Sequence, residues 1–272
     1  MLNFALNHMT LANASYDALL DTAAQCGCVG IEVRNDLSSE LFDGLDPAQA
    51  GARATDKGLA IFAVAEVKAF NNFSEQTLQQ AVALMEIAVA CGAKSVSLIP
   101  RCDGRETDAT VRKNNLDTAI RELQPLLESF ALTGLIEPLG FEAASLRYKS
   151  EVIDKLEKHG AHGAFKLVHD TFHHFLSGET ETFAPYTGIV HISGVVDTTI
   201  VPDQMQDAHR VLVSDADRLQ NQEQVASLKL DGYDGPVSME AFAPEVHNFL
   251  NPAEYLRDSF QFISSGLAAR VA

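Results

Sequence analysis

Four residues have side chains suited to hold a divalent cation, and each falls at or near the end of a short apolar run. They are Glu137 in GLIEP (134–138), Asp170 in FKLVHD (165–170), His191 in IVHIS (189–193) and Glu240 in PVSMEAF (236–242). Two glutamates, an aspartate and a histidine form an oxygen-rich donor set that suits Mn2+ or Mg2+. The imidazole also admits Zn2+ or Co2+. His173 follows Asp170 by about one helical turn, where it can touch whatever the cation binds. Each residue alone has a plain structural explanation. Glu137 or Asp170 could cap a following helix, His191 could be a hydrogen-bonded core histidine, and Glu240 could pair with an arginine. Four such coincidences on successive runs would bury unpaired carboxylates, which is very costly. One divalent metal ion shared by the four is the expectation.

Positioning them requires a particular scaffold. Eight β-type runs recur along the chain: NFALN (3–7), GIEV (30–33), AIFAVA (60–65), SVSLIP (95–100) and the four above. Between them lie segments with helical apolar periodicity: Tyr16–Cys26, Leu78–Cys91, Leu116–Phe130, Glu151–His159, Glu223–Leu230 and Pro252–Phe262. Gly27, Gly58, Gly92, Gly134, Gly160 and Gly232 stand where helices would close before strands. Pro47 and Pro252 follow Asp46 and Asn251, plausible caps at helix starts. The runs are apolar throughout rather than alternating, as in a parallel sheet covered on its faces.

Eight strand–helix units in 272 residues predict an α/β chain folded as one (β/α)8 barrel domain, 1–272. The open doubly wound alternative would show a glycine-rich fingerprint after the first strand, where the chain reads NHMTLANAS. Barrel active sites lie at the C-terminal ends of strands, so fold and candidate ligands agree. Segment 194–221 is the one long connection, of the kind that is usually functional or mobile.

Composition removes several function classes. Net charge is −17, from 37 acidic and 20 basic residues, which opposes a phosphate backbone, so no nucleic acid is expected as a partner. No apolar run approaches a membrane span and the N-terminus lacks a signal pattern, so no membrane is expected. The four cysteines form no C-x-x-C pair, and free thiols in a reducing cytoplasm are expected. His159, His162 and the acidic residues Asp203, Asp207 and Asp215 read as solvated, and Lys68 as a surface lysine.

Several pieces, in this order and spacing, resemble the xylose-isomerase-like TIM-barrel superfamily of sugar isomerases and epimerases, most closely the 2-keto-myo-inositol isomerases. They are FALN at the start, EVKAFNN after strand three, the strand-five Glu137, and HDTFHHF around Asp170 and His173. His191, the His209-Arg210 pair and VSMEAFAPE follow. The resemblance implies that Glu137, Asp170, His191 and Glu240 bind the metal and that Glu137 and Glu240 are the acid–base pair. It also implies that His173 and Arg210 contact substrate oxygens and that His8 lines the pocket. Relatives often carry an acidic residue just after the strand-seven histidine, where Ser193 and Gly194 stand here. They also often follow the arginine with an aromatic and a W-P-G-x-G-like turn, where this chain has RVLVSDADRL. Both departures fall in 194–221 and bear on substrate more than on metal.

The implied chemistry is proton abstraction next to a carbonyl of a sugar or keto-inositol, with the cation as Lewis acid for an enediolate. Return of the proton by the same carboxylate gives isomerisation, and by the opposite one epimerisation. An inosose dehydratase would share the first step. The superfamily also holds a multi-zinc endonuclease, which the acidic charge disfavours, and a degenerate sugar-binding barrel is the non-catalytic alternative. Relatives often form homo-oligomers; helix eight and the tail SSGLAARVA carry no assembly signal of their own.

Overall fold

The structure is a computed structural model that describes residues 2–271, with side chains to 266. Eight parallel strands close on themselves: β1 (Asn3–Asn7), β2 (Gly30–Arg34), β3 (Ala60–Lys68), β4 (Ser95–Ile99), β5 (Thr133–Ile136), β6 (Phe165–Asp170), β7 (Thr187–Ile192) and β8 (Pro236–Met239). Closure is the parallel pairing of β1 with β8, with Leu6 opposite Met239. Each strand is followed by a helix: α1 (Tyr16–Gln25), α2 (Pro47–Asp56), α3 (Glu75–Cys91), α4 (Ala109–Phe130), α5 (Lys149–His159), α6 (Thr171–Ser177), α7 (Asn221–Leu230) and α8 (Pro252–Val271). The predicted (β/α)8 barrel is therefore the fold. The side chains of 267–272, the end of the tail read above, lie outside the described residues. Among the described residues no helix is long and apolar enough to cross a membrane.

Local chemistry sets the helix ends. Asp46 accepts hydrogen bonds from the amides of Ala48 and Gln49 ahead of Pro47, and Ser74 and Asp108 cap α3 and α4 in the same way. Gly92 and Gly160 take the left-handed conformation that ends α3 and α5. Gly134 does not end a helix: Ala131 takes the left-handed position after α4, and Gly134 lies inside β5. There a Cβ would meet Leu127, Leu98 and Phe165 side chains at 2.8–2.9 Å, so close packing is what requires glycine.

The main apolar core fills the space between strands and helices. A second cluster, Ala63, Leu135, Val168 and Ile189, is separate from it. Leu135, Val168 and Ile189 stand two residues before Glu137, Asp170 and His191. Because side chains alternate along a strand, they share the inward face with those residues. The polar strand ends thus rest on an apolar layer inside the barrel.

Candidate metal centre

One ligand atom each from Glu137, Asp170, His191 and Glu240 lies within 4.8 Å of all the others, and all four residues are buried. His191 Nδ1 stands 3.2 Å from Glu240 Oε2, 3.8 Å from Glu137 Oε2 and 4.0 Å from Asp170 Oδ2. It is a buried nitrogen with no hydrogen-bond partner. The other ring nitrogen, Nε2, donates to Glu32 Oε2 at 3.1 Å. A cation with mixed nitrogen and oxygen preference fits this donor set. Asp170 serves two functions with its two oxygens. Oδ1 accepts from the His173 amide at 2.9 Å and caps α6, while Oδ2 faces the cluster.

Two arginines brace the carboxylates. Arg210, 1% exposed, donates from Nη2 to Asp170 Oδ2 at 2.5 Å and to Glu240 Oε2 at 3.0 Å. Its Nε donates to Ser193 Oγ at 2.9 Å and its Nη1 to Asp207 Oδ1 at 3.2 Å. The guanidinium also lies over the rings of Phe242, at 4.5 Å, and Phe172, at 5.1 Å. Arg34 donates to Glu240 Oε1 at 2.7 Å and forks onto both oxygens of Asp36. Its Nη2 reaches Glu66 Oε2 at 3.3 Å. Four buried carboxylates, Glu32, Glu137, Asp170 and Glu240, thus share the site with two buried guanidiniums, which bond Asp170 and Glu240. A divalent cation would offset the remaining negative charge.

The electrostatics separate the two glutamates. Burial, and then the charge of Glu240, push the Glu137 carboxyl above its usual range against the pull of His191. Burial acts on Glu240 in the same sense, but His191, Arg210 and Arg34 outweigh it and hold this carboxyl well below the usual range. Burial disfavours the His191 imidazolium, yet Glu240 and Glu32 raise its proton affinity well above normal. Glu66 is pushed up to about 7 by burial, against the pull of Arg34.

A cavity of about 850 Å³ opens on this cluster, lined by Glu137, Glu240, His173 and Arg210 together with Arg34, Glu66 and Lys68. His173 Nε2 stands 3.9 Å from Glu137 Oε1, and Phe141 packs edge-on against the imidazole at 5.0 Å between ring centres. Gly140 lets the chain after β5 approach α6: a Cβ there would sit 2.4 Å from the His173 carbonyl oxygen.

His8 departs from expectation. It is buried in a 3-10 turn, His8–Leu11, its Nε2 lies 3.1 Å from the Ala14 carbonyl, and it is not among the cavity-lining residues. Strand one contributes Asn7 instead, whose Nδ2 donates to Glu32 and Glu240. Asp203 and Asp207 line the cavity rather than only meeting solvent, because Asp207 turns onto Arg210 three residues later. His159 is not free in solvent, since its Nε2 pairs with Asp117 at 3.1 Å. Lys68 is exposed, as expected, but at the cavity. The connection 194–221 is tied down by backbone and side-chain hydrogen bonds. Gly194 bridges Val211 antiparallel, and Asp217 receives the amides of Leu219 and Asn221.

The family model described as xylose isomerase-like TIM barrel matches residues 20–265. The chain belongs to that family. Among solved structures of similar fold is a xylose isomerase domain containing protein from Salmonella typhimurium LT2. It is 28% identical at a TM-score of 0.88, covering 98% of this chain and 97% of that one. The IolI protein with a bound zinc atom is 19% identical at a TM-score of 0.86, covering 98% and 99%. D-psicose 3-epimerase from Clostridium cellulolyticum H10, solved with D-tagatose, is 14% identical at 0.74, covering 98% and 99%. No curated protein matches the sequence.

Proposed function

We propose that this family member is a divalent-metal-dependent isomerase or epimerase of a sugar or keto-inositol, working by proton abstraction next to a carbonyl. The observation that carries the reading is the convergence of four ligand atoms within 4.8 Å beside a cavity lined by two of the ligands, Glu137 and Glu240. The zinc of the IolI protein and the sugar of the psicose epimerase, both on this fold, support it.

When bound, the ion supplies Lewis-acid stabilisation of the negative charge that develops on the substrate oxygens. The chain's residues supply the rest. Glu137 looks into the cavity with a carboxyl whose basicity is raised by burial, which suits removal of a carbon-bound proton near neutral pH. Glu240 also looks into the cavity, but Arg34 and Arg210 hold its oxygens. His173 and Arg210 line the same space with donors for substrate hydroxyls. Proton return by Glu137 gives isomerisation, and by Glu240 epimerisation.

The test is metal analysis of the purified protein, followed by incubation of ketoses and keto-inositols in deuterated solvent. One equivalent of a divalent metal, and metal-dependent exchange of a carbon-bound proton, are expected. Absence of both metal and exchange would leave a sugar-binding barrel instead.

A further inference from the structure

Glu32 is a carboxylate in the middle of β2, a strand buried along its whole length, and it is itself 0% exposed. Isolated carboxylates are among the most expensive groups to bury, and an apolar residue would pack here at less cost to the fold. Its hydrogen bonds identify what the charge acts on. Oε2 accepts from His191 Nε2 at 3.1 Å, and Oε1 accepts from Asn7 Nδ2 at 3.3 Å. The Asn7 amide is itself oriented, because its Oδ1 accepts from the Met9 amide at 3.0 Å. That fixes Nδ2 as the end facing Glu32, and the same Nδ2 donates to Glu240 Oε1 at 3.2 Å. Asn7 and Glu32 are register partners across β1 and β2, so the sheet itself holds this pair beside the cluster.

We propose that Glu32 is the positioning residue of the metal centre. It holds His191 as the Nε2–H tautomer, turns the Nδ1 lone pair toward Glu137, Asp170 and Glu240, and raises the donor strength of the ring. Asn7 couples that carboxylate to Glu240 on the far side of the barrel seam. The inference rests on the reading of the four-residue cluster as a metal site. A carboxylate behind a ligating imidazole fixes ring orientation and increases basicity, and losing such a partner typically weakens metal binding by about 10–100-fold.

The experiment measures metal binding directly, by titrating metal-free protein with Zn2+ against a chelating dye, for the wild type, Glu32→Gln and Glu32→Leu. Glu32→Gln should bind at least about 10-fold more weakly and Glu32→Leu more weakly still, each with one site. Binding by both variants within about two-fold of the wild type would overturn the role of Glu32 while leaving the metal site standing. A wild type that takes up no Zn2+ would overturn the metal reading itself. A second measurement uses the wild type alone, so that it does not depend on the folding of a variant. Long-range 1H–15N correlation of histidine-labelled, Zn2+-loaded protein should show His191 protonated on Nε2, with that proton protected from exchange. Protonation on Nδ1 instead would refute the proposal.

Discussion

Arg210→Met is the substitution whose outcome the structure constrains most tightly. The guanidinium is 1% exposed and bonds to two buried carboxylates, Asp170 at 2.5 Å and Glu240 at 3.0 Å. Methionine keeps an unbranched stem between Phe172 and Phe242 but removes the charge and the fork. Removing one partner of a buried ion pair destabilises by about 3–5 kcal/mol, because the remaining charge is left uncompensated. For a chain of this size that is a fall in Tm of roughly 6–20 °C, measured with chelator present. A divalent cation should then restore more stability to the variant than to the wild type, since it meets a cluster with one positive charge fewer. For scale, any ligand at about 100 times its Kd stabilises the fold by about 2.7 kcal/mol. Paired thermal melts, with chelator and with saturating Mn2+, read both effects. A Tm within about 2 °C of wild type in chelator, or a smaller gain with Mn2+, would show that Arg210 does not offset the charge of these carboxylates.

Glu137→Gln should lower turnover about 10²–10⁴-fold while substrate still binds, whereas an effect on binding alone would remove it from proton transfer. Gly140→Ala forces a Cβ to within 2.4 Å of the His173 carbonyl and 2.6 Å of Leu176 Cβ. We expect about 1–3 kcal/mol of destabilisation and a fall in kcat, because the loop and His173 share the cavity wall. Wild-type Tm and kcat in that variant would refute the packing argument. Lys149 is buried, with Nζ 3.0 Å from His169 Nδ1 and 2.9 Å from His174 Nδ1, while Glu179, Glu181 and Asp170 act on it as charges. Burial lowers its pKa to about 8 from 10.5, so between those values the unfolded chain binds more protons. The lysine's contribution to stability should therefore rise with pH from about 8 to about 10.5, by about 3 kcal/mol in all. Denaturant titrations of wild type and Lys149→Met across that window should diverge in slope, and parallel curves would refute the shift.

The barrel was legible because its strands are short apolar runs separated by capped, glycine-closed helical segments, and that pattern survives in one dimension. Helix α6 was not, since seven residues of TFHHFLS show too few turns for periodicity. Gly134 misled because a glycine before a strand looks the same whether it ends a helix or clears space for Leu98, Leu127 and Phe165. That Glu137, Asp170, His191 and Glu240 converge could be read from position within each run, because the barrel brings every strand's C-terminal end to one rim. His8 met the same criterion and fails it, because a 3-10 turn starting at that residue swings the ring onto Ala14.

What sequence could not supply is partnership. Arg34 and Glu240 are 206 positions apart, and Glu32 and His191 are 159 apart, yet each pair is hydrogen bonded. Spacing along the chain says nothing about such contacts once the sheet has closed. One signal was nevertheless available. The strand GIEVR carries a carboxylate and a guanidinium inside a parallel sheet whose two faces are both covered. A charge there must have a buried partner or be neutralised. Reading each charged residue within a covered strand as a demand for a specific counter-group would have marked Glu32 and Arg34 as site residues. It would also have separated them from Asp117 of α4, a half-buried carboxylate that pairs with Lys155 and Lys158 outside any covered strand.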